Sequence, residues 1–280
     1  MVPSTAASRL RELLQDEDKI VVCPGTGAGT TASRLGQPDL GVITLNEMRE
    51  NAAMIANLDQ SVPLIADADT GFGGSLMVHR TVTEYIRAGV AALHLEDQPT
   101  SKRCGHLGNK QVVPEEEYIG RIRAAVNARV RSGGDIVLIA RTDALQPLGY
   151  EAAVSRLKGA IEAGADVAFL EGITTNKQAV RVCEDLKPTP VLFNNVAGGV
   201  SPDLSPSEAK MLGFRVIIFP GLCLGAVFTA VKEEAEQLKR NGTPTVRVGS
   251  SPRDLFNVVG LQEAISLDVA SGGRLYDQGI

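Results

Sequence analysis

The sequence predicts an α/β protein, a parallel (β/α) barrel, and three observations point there. Seven short apolar runs alternate with longer amphipathic stretches along the 280 residues, the order that βα units and a parallel sheet produce. The runs are almost continuously hydrophobic, as strands buried on both faces are. Five successive runs end in a charged or amide side chain, and in a barrel those C-terminal ends converge on one mouth, where active sites lie.

The first run, residues 19–24 (KIVVCP), leads into a glycine-rich loop from Pro24 to Thr31 and a polar turn from Gly36 to Gly41. A helix over 44–57 precedes the strand 63–69 (PLIADAD), and a helix over 75–89 precedes the strand 91–97 (AALHLED). Pro114, followed by Glu115, Glu116 and Glu117, opens a helix over 114–132 with negative charge at its positive dipole end. Strand 135–143 (DIVLIARTD), helix 150–163, strand 167–172, helix 176–186, strand 190–196, helix 205–212, strand 214–220 and helix 222–240 complete the alternation. The phrases Ala88-Gly89-Val90 and Ala163-Gly164-Ala165-Asp166 each end a helix on a glycine that supplies the left-handed cap. Their recurrence is a weak repeat at the scale of one barrel unit. After the Ser250-Ser251-Pro252 break, residues 252–268 read as a last helix. The organisation is a barrel over residues 1–245 and a C-terminal helical arm over 246–280, suited to oligomer contacts. Seven strands are visible where a full barrel has eight, and the interval from Lys19 to Pro63 has no room for another strand and helix. A barrel short of one unit must open, close with altered tilt or recruit another segment.

Composition sets the bounds. Hydrophobic residues make up 44% and charged residues 22%, with no Trp. Val, Ile, Leu and Ala must therefore fill the core, as they do in barrels. A net charge of −5 offers no bulk attraction to nucleic acid or an anionic membrane, and no apolar run is long enough to span a bilayer. Cys23, Cys104, Cys183 and Cys223 lack paired zinc-type spacing. The acidic N-terminal segment argues against a transit peptide. The expectation is a reduced, cytoplasmic protein that holds an anionic small molecule through local positive groups or a metal.

The strand ends carry the chemistry: Asp67 and Asp69, then Glu96 and Asp97 after His94, then Arg141 with Thr142 and Asp143, then Glu171, then Asn194 and Asn195. A period of two puts Asp67 and Asp69 on one face, where they repel unless something positive lies between them. Mg²⁺ suits such a pair, and Glu96 suits a metal-bound water. Solvated loop acids or helix caps are the alternative. Gly71, Gly73 and Gly74 suggest backbone that approaches a ligand closely. In Lys102-Arg103-Cys104-Gly105-His106, two cations and an imidazole beside a thiol predict a lowered pKa. Gly105 and Gly108-Asn109 predict a mobile lid. Cys104 could serve as general acid, general base or nucleophile. Cys23, Cys183 and Cys223 read as structural. Backbone N–H groups of the Thr26–Thr31 loop could bind carboxylate or phosphate oxygens, but no phosphate-loop lysine follows.

With these residues the sequence resembles the isocitrate lyase/phosphoenolpyruvate mutase superfamily, and is most similar to its branch of 2-methylisocitrate lyase, dimethylmalate lyase and oxaloacetate acetylhydrolase. The matching stretches are residues 26–41, ADADTGFGG (66–74), HLEDQ (94–98), KRCGH (102–106), ARTDA (140–144), FLEG (169–172) and Asn194-Asn195. The resemblance implies a TIM-type (β/α)₈ barrel of the phosphoenolpyruvate mutase kind, with C-terminal helices exchanged between subunits of a homotetramer. It implies Mg²⁺, with Mn²⁺ as a substitute, at Asp67 and Asp69, and Glu96 in the metal's water shell. Thr26, Gly27 and Ala28 would bind a substrate carboxylate, with Asp39 near the reacting oxygen. Cys104 would be the acid/base on a gating loop, beside Gly105 and His106, while Arg141, Glu171 and Asn194 hold the remaining substrate groups.

The sequence departs from that pattern in three places. The strand–helix stretch that relatives carry between segments like Cys23-Pro24-Gly25 and Thr26-Gly27-Ala28-Gly29 is missing, in agreement with the strand count. Ala197 stands where relatives often have Glu, and Gly225 falls near a common Arg. Both changes remove polar contacts, which favours a smaller acid over a tricarboxylate. The expected activity is cleavage of a C–C bond in an oxaloacetate- or malate-like acid. The alternatives are a phosphonomutase acting on a P–C bond, and a chain that the deletion has impaired into a binding or structural subunit.

Overall fold

Near-continuous apolar strands give one parallel sheet in the computed structural model, which describes residues 5–23, 27–245, 249 and 251–276. Helix α1 (Ala6–Gln15) precedes β1 (Val21–Cys23), and α2 (Gly27–Leu35) and α3 (Leu45–Ala56) precede β2 (Ile65–Asp67). Then follow α4 (Ser75–Arg87), β3 (Ala92–Glu96), α5 (Glu115–Arg131), β4 (Val137–Thr142), α6 (Leu145–Leu148) and α7 (Tyr150–Glu162). The remainder is β5 (Val167–Leu170), α8 (Asn176–Asp185), β6 (Val191–Asn194), α9 (Pro206–Met211), β7 (Val216–Ile218), α10 (Leu224–Asn241), α11 (Pro252–Val258) and α12 (Leu261–Ala270). The strand order is β1-β7-β6-β5-β4-β3-β2. This is a barrel wall in which the first and last strands of the row, β1 and β2, are not paired with each other. The missing βα unit is thus a physical break in the wall, where an eighth strand would stand.

Two apolar layers hold the wall. The interior is filled by Val137, Ile139, Val167, Phe169, Leu192 and Val216, and Ala7 and Leu10 of α1 join that cluster. Between sheet and helices lie Tyr85, Tyr118 and Ile122 on one side and Leu157, Phe193 and Phe214 on the other. Helix α1, which the sequence reading leaves without structure, is tied down by charge. Arg11 Nη1 meets Asp166 Oδ1 at 2.9 Å, and Asp166 Oδ2 accepts from Arg129 Nη1 at 2.5 Å and from the Leu138 amide at 2.8 Å.

Two local expectations are corrected. The glycine-rich loop is helix from Gly27 onward, because Thr30, Thr31 and Ala32 continue the turn that the glycines begin. The single helix over 252–268 is two, α11 and α12, since Gly260 at φ 88° breaks it. The chain divides into two compact units, Met1–Leu224 and Gly225–Ile280. In the second unit α11 and α12 carry no buried residue, and Val231, Leu255, Phe256 and Leu267 are exposed.

Asp97 clamps the mouth end of the wall. Its Oδ2 accepts from Thr142 Oγ1 at 2.5 Å and from Arg156 Nη1 at 3.0 Å, and its Oδ1 accepts from the Asp143 amide at 2.8 Å. Asp97 and Arg156 are both buried, so removing one partner strands the other charge. Asp97→Ala is expected to cost about 3–5 kcal/mol of unfolding free energy, measured by urea denaturation.

Candidate active site

Strand ends deliver the acids to one rim. Asp67 closes β2, Glu96 closes β3, Glu171 follows β5 and Asn194 closes β6. Glu96 and Arg141 stand level across β3 and β4, and Asp67 stands level with His94, two residues earlier along β3. Asp69 arrives differently from the expectation. The strand stops at Asp67, Asp69 takes φ 45°, and its amide donates to Asp67 Oδ1 at 2.8 Å. A backbone turn, rather than strand periodicity, therefore sets this pair. The glycines after it also have another purpose: a methyl at Gly71 would lie 2.4 Å from Val78 Cγ2, and one at Gly73 2.9 Å from Met77 Cγ. They let the turn pack against α4.

Lys102 is the organising cation. Its buried Nζ lies 2.7 Å from Asp39 Oδ1 and 2.5 Å from Asp69 Oδ1. Burial works against its charge, but Glu96, Asp69, Asp67 and Asp39 outweigh that and raise its pKa. One ammonium does not satisfy these acids. Burial pushes the Asp67 carboxyl above its ordinary range, and burial together with the Asp67 charge pushes Asp69 up to about 6. Burial likewise raises Glu96 far above normal. His94, 3.3 Å from Asp67 Oδ1 and edge-on to Phe169, is pushed down to about 3 by burial and by Arg141. It is a neutral imidazole.

Arg141 forms the second node. Its Nε contacts Glu96 Oε2 at 3.2 Å and Asp143 Oδ2 at 2.9 Å, its Nη2 lies 3.6 Å from Glu171 Oε2, and its guanidinium lies over the Phe169 ring. Asn194 Nδ2 donates to Glu171 Oε2 at 3.0 Å and lies 3.3 Å from His106 Nε2. Asn194 Oδ1 is buried without a hydrogen-bond partner, while Glu96 Oε2 has only the Arg141 contact and Glu171 Oε1 only His106 Nε2 at 3.5 Å. Such groups are costly unless a ligand meets them.

The 102–110 loop lies over this node. A methyl at Gly105 would fall 2.5 Å from Arg141 Nη2 and 2.8 Å from Glu171, so only glycine allows so close an approach. The buried Lys110 Nζ donates to the Gly105 carbonyl at 2.8 Å and to Asp143 Oδ1 at 2.9 Å. The Cys104 amide donates to the Asp39 carbonyl at 3.1 Å. The Cys104 thiol departs from its expectation: burial, the largest influence, raises its pKa. The flanking cations are spent elsewhere, Lys102 on Asp39 and Asp69, and Arg103 on the Gly108 carbonyl at 3.0 Å. Cys104 is therefore a protonated thiol at neutral pH.

The sequence-derived residues Asp39, Asp67, Cys104, Gly105, His106, Arg141, Glu171 and Asn194 line one cavity of about 430 Å³. Asp69 and Glu96 stand behind it, within the field of Lys102. Thr26 lies outside the described residues, and Gly27 and Ala28 open α2. Sequence reasoning missed Lys102 and Lys110 as site residues. The signal was present, since both flank the Cys104 motif, but a lysine in a polar loop reads as solvated. Among the described residues no group of three or more His, Cys, Asp or Glu side chains forms a cage for an ion. The donors fit Mg²⁺ of another kind, one held by one or two carboxylates, waters and substrate. Asp67 and Asp69 keep raised proton affinities despite Lys102, as hard oxygens short of positive charge do, and Glu96 would hold a metal-bound water.

A family model described as phosphoenolpyruvate phosphomutase matches residues 20–239. The chain belongs to that family. It is 39% identical over 257 residues to 2,3-dimethylmalate lyase of Eubacterium barkeri, covering 85% of this chain and 87% of the relative. A crystal structure of 2,3-dimethylmalate lyase superposes with a TM-score of 0.95 at 49% identity, over 99% of each chain. Oxaloacetate acetylhydrolase with 3,3-difluorooxalacetate superposes at 0.94 and 48% identity, over 97% of this chain and 99% of the other.

The raised Cys104 pKa has a direct consequence. Less thiolate is present at any given pH, so the pH at which Cys104 reacts moves up. In peptide-resolved iodoacetamide labelling from pH 6 to 10, Cys104 is expected to reach half-labelling above the ordinary thiol range near 8.5. Half-labelling below pH 8 would contradict this environment.

Proposed function

We propose that this chain is a Mg²⁺-dependent carbon–carbon lyase or hydrolase acting on a small 2-oxo or 2-hydroxy dicarboxylic acid of the oxaloacetate or substituted-malate kind. One observation carries the reading: a neutral, half-buried thiol lies on a loop seated over an arginine, in a mouth whose carboxylates are short of positive charge. Mg²⁺ at Asp67 and Asp69, or Mn²⁺ in its place, would supply charge to stabilise the developing substrate oxyanion. The N-terminal turn of α2, with Gly27 and Ala28, would hold one substrate carboxylate. Arg141, His106 and Asn194 hold the other polar groups, and Glu171 fixes Arg141 and Asn194. Asp39 faces the reacting oxygen and takes the proton of the 2-hydroxyl group, or, for a 2-oxo acid, of the gem-diol formed when one water adds to the carbonyl. Breaking the C–C bond leaves an electron pair on a carbon next to a carboxylate, and the Cys104 thiol delivers a proton to that carbon. The glycine backbone at Gly105 lets the loop shut on Arg141 and exclude bulk water.

Exposed apolar side chains on the C-terminal helices support assembly into a homo-oligomer, a tetramer, with residues 246–280 as the arm. The four free cysteines fit a cytoplasmic setting. The open wall between β1 and β2 favours one second reading, a family member that binds its acid but turns it over poorly.

The test is a Mg²⁺-dependent assay against oxaloacetate, malate and 2,3-dimethylmalate, alongside calorimetric binding. Cys104→Ser is expected to lower kcat by about 10²–10⁴-fold, the usual weight of a positioned acid, with little change in thermal unfolding. Chelation is expected to abolish turnover. A Cys104→Ser enzyme as fast as the parent would remove the thiol's role. Tight binding without product would select the second reading.

A further inference from the structure

The cavity has two ends of opposite chemistry. One is the mouth, with Asp39, Asp67, Lys102, Arg141 and Glu171; the other is walled by Met48, Ala52, Ile55, Leu64 and Tyr85. These ends lie on opposite sides of the sheet. Phe169 and Ile218, which also line the cavity, belong to the barrel interior, with Cys23 and Ile65 packed against it. Met48, Ala52, Ala66 and Tyr85 belong to the layer between sheet and helices. A cavity lined by both layers passes through the wall.

Paired strands stand only about 4.8 Å apart, so an intact ladder leaves no such passage. Here the passage coincides with the break in pairing: Cys23 comes from β1 and Ile65 from β2, the two ends of the strand order. Among the described residues, the outer end carries no charged side chain. Its polar groups are engaged: Tyr85 donates its hydroxyl to the Asp67 carbonyl at 2.6 Å, and Asn51 Nδ2 lies 3.5 Å from Thr30 Oγ1. A volume of about 430 Å³ is in the range that takes a drug-sized ligand, roughly 300–1,000 Å³. A four-carbon diacid leaves most of it empty.

We infer that the site binds dicarboxylic acids bearing an unbranched alkyl substituent, with the acid head in the mouth and the alkyl chain running between β1 and β2 into the space beneath α3. This rests on the reading of the mouth as a site for a small 2-oxo or 2-hydroxy diacid. It adds a substrate class, because the passage selects for chain length and the mouth does not.

Calorimetric titration of the full chain with 2-alkylmalates from methyl to heptyl, in Mg²⁺, tests it. Each buried methylene contributes about 0.8 kcal/mol, so Kd is expected to fall about fourfold per added carbon until the space is filled, and then to level off. Ile55→Glu places a charge at the outer end on a side chain that is already 40% exposed, so the fold tolerates it. It is expected to abolish the gain for pentyl and leave methylmalate binding unchanged. Ala52→Phe, which fills the same space, is expected to act alike. Methylmalate binding with no gain from longer chains overturns the inference and leaves the mouth reading standing. A gain with chain length that survives both substitutions also overturns it, since the chain then lies elsewhere. Failure of every acid to bind removes the mouth reading, and this inference with it.

Discussion

The site depends on an imbalance of buried charge. Asp67, Asp69, Glu96, Asp143 and Glu171 are brought into low dielectric at one end of the sheet, and the buried cations that face them are Lys102, Lys110 and Arg141. Asp143 has two cations in contact with it, Arg141 and Lys110. Burial alone would raise Asp143, yet Arg141 and Lys110 hold it below the usual carboxylate range. Where Lys102 must serve several acids at once, they remain short, and Asp67, Asp69 and Glu96 keep raised affinities for protons. A group that holds a proton too tightly for want of positive charge is also a group that welcomes a divalent ion.

The same network links the loop to the floor of the site. Lys110 joins the Gly105 carbonyl to Asp143, and Asp143 accepts from Arg141 Nε at 2.9 Å and Nη2 at 3.2 Å. The loop and Arg141 therefore share Asp143 as a common anchor. His106 adds a second tether, since the Val200 amide lies 3.4 Å from its Nδ1 and a methyl at Gly199 would fall 2.5 Å from the same atom. The loop that carries the thiol is thus positioned from β4, β5 and β6 together.

Much of this was legible in the sequence, because it depended on order along the chain. The strands were visible as apolar runs, and the mouth as the polar residues that end them. The count of seven was visible as an interval too short for another unit. What failed depended on direction. Lys102 and Arg103 adjoin Cys104 in sequence, but their side chains leave it, so burial decides the thiol's pKa. Asp69 sits two residues from Asp67, but a left-handed turn intervenes. The glycines from Gly27 to Gly29 read as loop because their low helix propensity is a local signal, whereas the helix is set by the residues that follow. Gly260 broke a helix that its apolar periodicity had joined.

The break in the wall is where stability and specificity meet. Unpaired strand edges are hazards, and proteins blunt them by keeping them short. Here β1 and β2 are three residues each, so few backbone groups are left without a partner. The interior cluster is continuous across the other five strands, and Ala7 and Leu10 join it from α1. The sheet can therefore lose one strand without losing its core. What it does lose is the seal between the inner and outer apolar layers. In a closed barrel that seal confines a substrate to the polar mouth and makes size the criterion for entry. With the seal absent next to Asp67, the nearest unfilled space for a bound acid is hydrocarbon-lined. The missing strand thereby changes the criterion from size to the presence of an apolar tail.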